Sequence, residues 1–291
     1  MSALALRRRP FASAAEGGAG GLRLGTGAKA ALGVVALLAL VALLAPLIAP
    51  YDPDQQDLLD IHAGPSADHL LGTDQLGRDI LSRLIWGARP SLAGPLAVVL
   101  TATAIGVPIA LAAGWWGGVV DTAVGRALDL LFAFPGILLA VLAVAMFGSG
   151  IVPCVIALAI AFVPLIARVT RSAVLGVRGA PYIAAAEVVG VPTARIWLRH
   201  LLPNIAPIVI AQATVAFGYA LIDLAVLSFL GFGVQGTTPD WGMMVNAQQS
   251  IVQGHPGQAV WAGVLIVVAV SAVSYLGTHL TDRHHRDGRD A

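Results

Sequence analysis

Six stretches of mostly apolar residues divide this sequence, and each is close to the length of a helix that crosses a membrane. Such a helix needs about 20 predominantly apolar residues. The stretches cover residues 30–49, 92–113, 130–147, 151–167, 205–230 and 260–277. Only three residues, 148–150, separate the third from the fourth, which predicts a tight helical hairpin there. The pattern predicts an all-α integral membrane protein with about six transmembrane helices.

The composition agrees with this prediction. Hydrophobic residues form 57% of the 291-residue chain and charged residues only 11%. Soluble proteins carry about 25% charged residues, so many apolar side chains here must face lipid. Prolines in or beside the apolar stretches are compatible with membrane helices, because neighbouring helices satisfy the freed carbonyl groups. The single cysteine, Cys154, excludes a disulfide within the chain and a cysteine-based metal cluster.

The distribution of Lys and Arg predicts the orientation in the membrane. If the N-terminus is cytoplasmic, six spans place both termini inside. Every Lys and Arg except Arg78, Arg83 and Arg89 is then cytoplasmic. Cytoplasmic segments near membrane helices are enriched in these residues, so both termini are predicted to be cytoplasmic. Residues 50–90 carry seven aspartates and become an acidic extracytoplasmic loop.

These features divide the chain into four parts. Residues 1–28 are predicted to be a disordered cytoplasmic N-terminal tail, because a glycine-rich stretch follows the basic start where a signal peptide would be apolar. Residues 29–90 hold the first transmembrane helix and the acidic loop, and residues 91–280 hold a core of five transmembrane helices. Residues 281–291 form a charged cytoplasmic C-terminal tail, whose histidines are interpreted as solvated rather than metal-binding.

The longest polar segment between two spans, residues 168–203, has clear helix boundaries. Pro181 suits a first helical position and Gly190 suits the left-handed residue after a helix. Pro192 then opens a second helix that is expected to end near Pro203. Arg195 and Arg199 are four apart and share one face of it. The residues alone are equally compatible with an ordinary helical loop that has a basic, solvated face.

This segment resembles the coupling loop of ABC importer permeases. That loop reads Glu-Ala-Ala, three residues, Gly, and a Leu-Pro further on. The matching positions here are Ala185, Ala186, Gly190, Leu202 and Pro203. The usual glutamate position is Ala184, which is a departure from the family pattern. Glu187 lies nearly one helical turn later.

Further stretches resemble the dipeptide, oligopeptide and nickel branch of these permeases. They lie at residues 71–92, 129–135 and 227–242. In the first, Leu-Gly-Thr-Asp-Gln-Leu-Gly-Arg-Asp precedes the second apolar stretch, and in the last, Pro-Asp-Trp-Gly follows the fifth. With the coupling loop they occur in order within a six-span frame, and the resemblance covers residues from about 30 to 282.

The resemblance implies a type I ABC importer permease fold with a cytoplasmic coupling helix between spans four and five. It implies a multi-pass protein of the bacterial plasma (inner) membrane. The implied partners are a second permease subunit in a heterodimer, two ABC ATPase subunits and an extracytoplasmic substrate-binding protein, with no nucleic acid. ATP is bound by the partner ATPase subunits, and this chain binds no cofactor. The solute stays open among dipeptides, oligopeptides, nickel and related small solutes.

The resemblance also assigns candidate site residues. Those of the ATPase-coupling loop are Tyr182, Ala184, Ala185, Ala186, Glu187, Gly190, Arg195, Arg199, Leu202 and Pro203. Those of the translocation pathway are Phe134, Pro135, Asp223 and Ser228. Asp223 lies within an apolar stretch, where an ionisable group is costly and typically functional. Two interpretations of Asp223 are left open with equal weight: it lines the solute path, or it contacts another helix.

Two other functions are less compatible with the sequence. An ATP-hydrolysing chain needs Gly-Lys-Ser/Thr, but the only lysine, Lys29, is followed by alanine, so no enzyme is predicted. A secondary transporter or channel that works without ATPases is the alternative. It would carry charges in several spans, whereas Asp223 stands out alone.

An apolar stripe at residues 80–85, with Arg83 off the stripe, predicts a short amphipathic helix at the outer interface.

Overall fold

The computed structural model describes residues 25–234 and 236–287, and this part of the chain is folded into helices joined by turns and loops. In chain order the helices are α1 (Thr26–Ile48), α2 (Ile80–Trp116), α3 (Gly118–Phe132), α4 (Gly136–Phe147), α5 (Ile151–Arg178), α6 (Pro181–Val188), α7 (Thr193–Ile196), α8 (Leu202–Phe229), α9 (Trp241–Val245), α10 (Gln248–Val252) and α11 (Gly257–Asp287). A π-helical turn, Trp197–Leu201, joins α7 to α8. The predicted tail residues 1–24 and 288–291 lie outside the described ranges.

Five of the six predicted spans are single long helices in the described residues. They are α1, α2, α5, the continuous stretch Thr193–Phe229, and residues Gly257–Leu280 of α11. Each is long and apolar enough to cross a membrane. Helix α1 begins at Thr26, inside the segment predicted as a disordered tail, and α11 continues to Asp287, into the predicted C-terminal tail.

The third predicted span, residues 130–147, is not one helix. Helices α3 and α4 meet at an angle of 76° across residues 133–135, so this bent pair forms either a broken span, which would be the sixth, or a re-entrant loop. Pro135 has ψ 128° and supplies no backbone N–H, and a residue before proline is disfavoured in helical geometry. Helix α4 has 12 residues and is about 18 Å long. It is too short to cross a hydrocarbon layer of about 30 Å alone.

The predicted amphipathic helix at residues 80–85 is also wrong, because these residues are the first turns of α2. Asp79 caps this 37-residue helix by accepting a hydrogen bond from the Ser82 N–H at 2.7 Å. Arg83 is 2% exposed and points into the protein, where it donates to the Pro53 carbonyl at 2.9 Å. Its guanidinium is 3.6 Å from the Asp74 carboxylate. Contacts with the preceding loop therefore bury a residue that the local pattern placed at the surface.

Helices α2, α5 and α8 form the centre of the bundle, and small residues set their spacing. A Cβ atom at Gly106 would lie 3.2 Å from the Val163 carbonyl oxygen, and one at Gly114 would lie 2.6 Å from a Val174 methyl group. Helix interfaces in membranes use glycine in this way to bring backbones together. Leu158 of α5 is fully buried in the resulting core. The side chains that carry function are therefore held on a closely packed frame.

The connections form two distinct ends of the bundle. The cap end consists of residues 49–79 and 230–256, which contact each other through a hydrogen bond from the Thr237 hydroxyl to the Asp54 carboxylate at 2.7 Å. The rings of His62 and His255 also stack there, 4.5 Å apart. The loop end is defined by residues 179–201. Each end is built differently, and each holds candidate functional residues.

Candidate functional site

The connecting loop at the loop end is closed by a turn that depends on glycine. Helix α6 begins at Pro181. The first N–H of a helix has no partner within the helix, so proline loses no hydrogen bond at this position. The Gly190 N–H donates to the Glu187 carbonyl at 3.0 Å. The Val191 N–H donates to the Ala186 carbonyl, also at 3.0 Å. This Schellman arrangement needs a left-handed residue, and Gly190 has φ +77°. The predicted helix start and glycine turn are confirmed.

Two buried isoleucines anchor this loop to the bundle. Ile183 of α6 and Ile196 of α7 are each 1% exposed. They belong to one apolar cluster with Leu111 and Trp115 at the end of α2 and with Val174 of α5. Burying such a side chain contributes about 1.5–3 kcal/mol. The loop is therefore packed firmly against the ends of the central helices.

The opposite side of α6 presents an apolar surface to the exterior. We call this surface the docking face, and its residues are Tyr182, Ala184, Ala185, Glu187, Val188 and Val189. Val188 is 88% exposed and Val189 is 81% exposed. Exposed apolar patches of this kind mark interaction sites. Ala186, by contrast, is half-buried and faces the bundle, so the predicted coupling residues divide between the two sides of α6.

The second helix of the loop does not end near Pro203, contrary to the prediction. Helix α7 continues through the π-helical turn into α8, and the Leu202 N–H donates to the Trp197 carbonyl. Pro203 therefore lies in the first turn of α8, where proline is accommodated. Arg195 and Arg199 are both exposed along this continuous stretch. The loop is thus joined to α8 without a break.

Asn204 is a loop-end residue that the sequence reasoning missed. Its side-chain amide donates to the Tyr182 hydroxyl at 3.2 Å and to the His200 carbonyl at 2.6 Å. These bonds connect the first turn of α6 to the first turn of α8 and orient the exposed Tyr182. The bond to a carbonyl four residues earlier is an ordinary local pattern. The bond to Tyr182, 22 residues away, has no signal in the local sequence.

The candidate pathway residues do not form one site. Phe134 and Pro135 lie at the bend between α3 and α4, where Phe134 is 54% exposed. Asp223 lies on α8 and is half-buried. Within the described residues its carboxylate has no hydrogen bond or ion pair, and it shares an exposed stripe of α8 with Tyr219 and Val226. Asp223 is therefore available to a group outside this subunit.

Ser228, the fourth pathway candidate, is buried in a polar cluster at the cap end. The cluster centres on Asp240, whose carboxylate accepts from the Gly242 N–H at 2.7 Å and from the Ser91 hydroxyl at 3.3 Å. Ser228 is a further hydrogen-bond partner of this carboxylate. Burial raises the pKa of Asp240, and the bonds from Ser228, Gly242 and Ser91 oppose this shift. Ser228 thus has a structural partner within its own chain.

Trp241 completes this cluster and links three helices. It is 1% exposed, its backbone N–H donates to the Ser91 hydroxyl at 3.0 Å, and its indole N–H donates to the Leu84 carbonyl at 2.9 Å. A Cβ atom at Gly242 would lie 2.4 Å from the Ala225 carbonyl oxygen of α8. The Asp-Trp-Gly sequence therefore packs the 230–256 connection directly on α2 and α8. Sequence reasoning noticed this motif but assigned it no structural role.

Comparison with protein families finds two matching models. Residues 106–287 match the family described as binding-protein-dependent transport system inner membrane component. Residues 26–65 match the N-terminal TM domain of oligopeptide transport permease C. Together these two matches include α1 and most of the bundle.

Several curated relatives are similar over most of their length. A dipeptide transport system permease protein of Alkalihalophilus pseudofirmus is 39% identical over 219 residues, which are 75% of this chain and 72% of the relative. A glutathione transport system permease protein of Escherichia coli O157:H7 is 41% identical over 236 residues, 81% of this chain and 78% of the relative. A di/tripeptide transport system permease protein of Pseudomonas aeruginosa is 38% identical over 244 residues, 82% and 80% of the two chains.

Among solved structures, a chain of an inward-facing methionine ABC transporter shares the fold. Its TM-score is 0.58 at 19% sequence identity, with 70% of this chain and 97% of that chain covered. A second crystal form of the same transporter gives a TM-score of 0.53 at 21% identity, with 69% and 95% covered.

Proposed function

The chain belongs to the family of binding-protein-dependent transport system inner membrane components, and we propose that it forms half of the pathway of an ABC importer for short peptides. The observation that carries the proposal is the docking face on a rigidly anchored α6. Its exposed valines offer an apolar contact, while Ile183 and Ile196 attach the loop to the central helices. Force applied to α6 is thereby transmitted to the membrane-spanning bundle.

The proposed partners follow from this arrangement. Two separate ATPase subunits bind and hydrolyse ATP, and one of them receives α6 on its surface. A second, different permease subunit completes the pathway, and an extracytoplasmic binding protein delivers the solute. This chain itself holds no cofactor and hydrolyses nothing. The loop end and both termini face the cytoplasm, a placement supported by the positive charge of segments 168–203 and 283–289.

Motion of the ATPases is proposed to reach the pathway through α8. Arg195 and Arg199 lie on the unbroken helical stretch that begins at Thr193, shortly after the Gly190 turn, and continues into α8, which also carries Asp223. Displacement of α6 therefore tilts the helix that lines the solute path. ATP and the loaded binding protein each stabilise a different state of the bundle, and the two states open the path to opposite sides of the membrane.

The proposed solute is a short peptide. The relatives are permeases for dipeptides, tripeptides and glutathione, which all carry an α-amino group. Asp223 has no hydrogen bond or ion pair within the described residues and is half-buried on α8. A carboxylate in that position is suited to attract the ammonium group of a peptide. The alternative is that Asp223 pairs with the second permease. In that case, removing the Asp223 carboxylate should impair the transport of amino-blocked peptides as much as that of free peptides.

Site-specific photocrosslinking in the assembled transporter tests the docking role. A photoreactive residue placed at Val188 is expected to crosslink to an ATPase subunit. The control position is Val119 of α3, which is similarly exposed, at 85% against 88%, but is not part of the docking face. The proposal is wrong if the photoreactive residue at position 188 yields no ATPase adduct. It is also wrong if a cysteine introduced at this position is labelled by an impermeant reagent added outside intact cells.

A further inference from the structure

A proline in α1 leaves a backbone carbonyl without its usual partner, and an arginine of α2 replaces that partner. Pro46 has no N–H, so the Ala42 carbonyl lacks the hydrogen bond that a helix normally gives it. The Arg89 side chain approaches from α2, and its Nε donates to the Ala42 carbonyl at 3.0 Å. This bond fixes an arginine against α1, just before the apolar stretch of α2 that begins at residue 92. Ala42 lies about 9 Å below the end of α1 at Ile48.

Most of the Arg89 guanidinium remains available. The residue is exposed, and its guanidinium carbon lies 5.2 Å from the centre of the Trp86 ring. Nε is occupied by Ala42, but within the described chain the Nη groups form no hydrogen bond or ion pair. A guanidinium has four further N–H donors in a fixed plane and retains its charge in a membrane. Trp86 and Ala42 therefore hold an unneutralised cation in one orientation.

An apolar groove begins at this cation and runs toward the bilayer centre. Its volume is about 490 Å³, and Arg89 is its one charged lining residue. Leu38 and Leu43 of α1 form one wall, and Leu92 and Leu96 of α2 form the other. From Arg89 to Leu96 the groove extends about 10 Å along α2. The volume is within the range of about 300–1,000 Å³ that is typical of small-molecule sites.

We propose that this groove binds an anionic phospholipid, with its phosphate on the Nη groups of Arg89 and one acyl chain between α1 and α2. The charge decides between possible occupants. An unpaired arginine beside an apolar groove attracts an anion, and a phosphate can accept bidentate hydrogen bonds from its Nη groups. An apolar helix of another subunit would fill the groove but would leave Arg89 unpaired. A free phosphate ion would leave the apolar walls uncovered. The inference requires a membrane-embedded chain and no particular solute.

Native mass spectrometry of the intact transporter tests this site. The complex is released from nanodiscs that contain equal amounts of phosphatidylglycerol and phosphatidylcholine. Phosphatidylglycerol is expected to be retained preferentially. Arg89→Gln, which keeps an N–H for Ala42 but removes the charge, is expected to lower this retention about tenfold. The matched control is Arg126→Gln, because Arg126 is an exposed cation of α3, and retention should not change.

A second variant separates the groove from the charge. Ala93 is exposed and lines the groove beside Leu92, so Ala93→Trp fills the space and leaves Arg89 intact. Retention is expected to fall in this variant too, and excess inorganic phosphate should not displace the wild-type lipid. The proposal is overturned if both lipids are retained equally by the wild type, if Arg89→Gln retains as much phosphatidylglycerol, or if a photoreactive residue at Ala93 captures another subunit.

Discussion

The two ends of the bundle are stabilised by different interactions. At the cap end, polar contacts within the chain hold the connections: the buried Asp240 accepts a hydrogen bond from the half-buried Ser91, and the buried Arg83 donates to the Pro53 carbonyl. At the loop end, aliphatic side chains and a backbone turn hold α6, and the apolar docking face is left open. Buried polar groups that are satisfied internally need no external partner, whereas an open apolar patch does. The cap end is therefore held largely by polar contacts, whereas the loop end is held by apolar packing and leaves Val188 and Val189 exposed.

Removing the Trp241 side chain should have the largest effect on stability, because this side chain is buried at the cap end. Trp241→Ala deletes a buried indole and its hydrogen bond to the Leu84 carbonyl, which is expected to destabilise the protein by about 3–5 kcal/mol. Thermal unfolding of the purified protein in detergent measures the loss. The control is Trp116→Ala at the loop end, where the side chain is 60% exposed and little change is expected. Equal losses in the two variants would contradict the distinction between the ends.

The second prediction concerns coupling and involves only a small loss of stability. Gly190→Val forces a β-branched residue into left-handed geometry, which costs about 1–2 kcal/mol and distorts the turn beside the docking face. Such an energy corresponds to a change of roughly 5- to 30-fold in an equilibrium constant. Transport by proteoliposomes and solute-stimulated ATP hydrolysis are expected to fall, while the unfolding temperature falls by only a few degrees.

Gly179 provides the matched control for this variant. It lies in the same loop, has φ −74° and leaves space around its Cα, so Gly179→Val adds the same side chain without left-handed strain. Normal coupling in the Gly179 variant and impaired coupling in the Gly190 variant would show that backbone conformation is responsible. If the Gly190 variant transports and hydrolyses ATP normally, the docking role of the turn is wrong.

The smallest expected effect is at Asp223, which belongs to neither end. Asp223→Asn is expected to reduce uptake of a free dipeptide about fivefold, because a partly exposed ion pair contributes at most about 1 kcal/mol. Uptake of the N-acetylated dipeptide should be unaffected. Asp129→Asn serves as the control, since this carboxylate is exposed and pairs with Arg168 at 2.6 Å. An equal decrease for both peptides would assign Asp223 to a contact with the second permease.

The sequence predicted the features that depend on local pattern. The helical membrane fold, the membership of an ABC importer permease family and the transport role are confirmed. The glycine turn at Gly190 was predictable because a helix end and a left-handed residue have local signatures. Docking of α6 on an ATPase stays a prediction.

Features that depend on distant contacts were not predictable. Pro108 and Pro164 lie inside continuous helices, whereas Pro135 separates α3 from α4. The difference depends on neighbouring helices, which the local sequence does not describe. Arg83 was expected near the surface but is buried by Asp74 and by the Pro53 carbonyl 30 residues earlier. The burial of a charged residue depends on its contacts with residues distant in the sequence, and helical periodicity gives no information about these contacts.

The unbroken path from α7 through the π-helical turn into α8 has a geometric consequence. Helix α8 has 28 residues and is therefore about 42 Å long. If it pivots as a rigid rod at the end near Leu202, a tilt of about 10° displaces its far end by roughly 7 Å. That distance exceeds one helical pitch. A small rotation at the loop end would thereby be enlarged into a much wider movement at the far end of the helix.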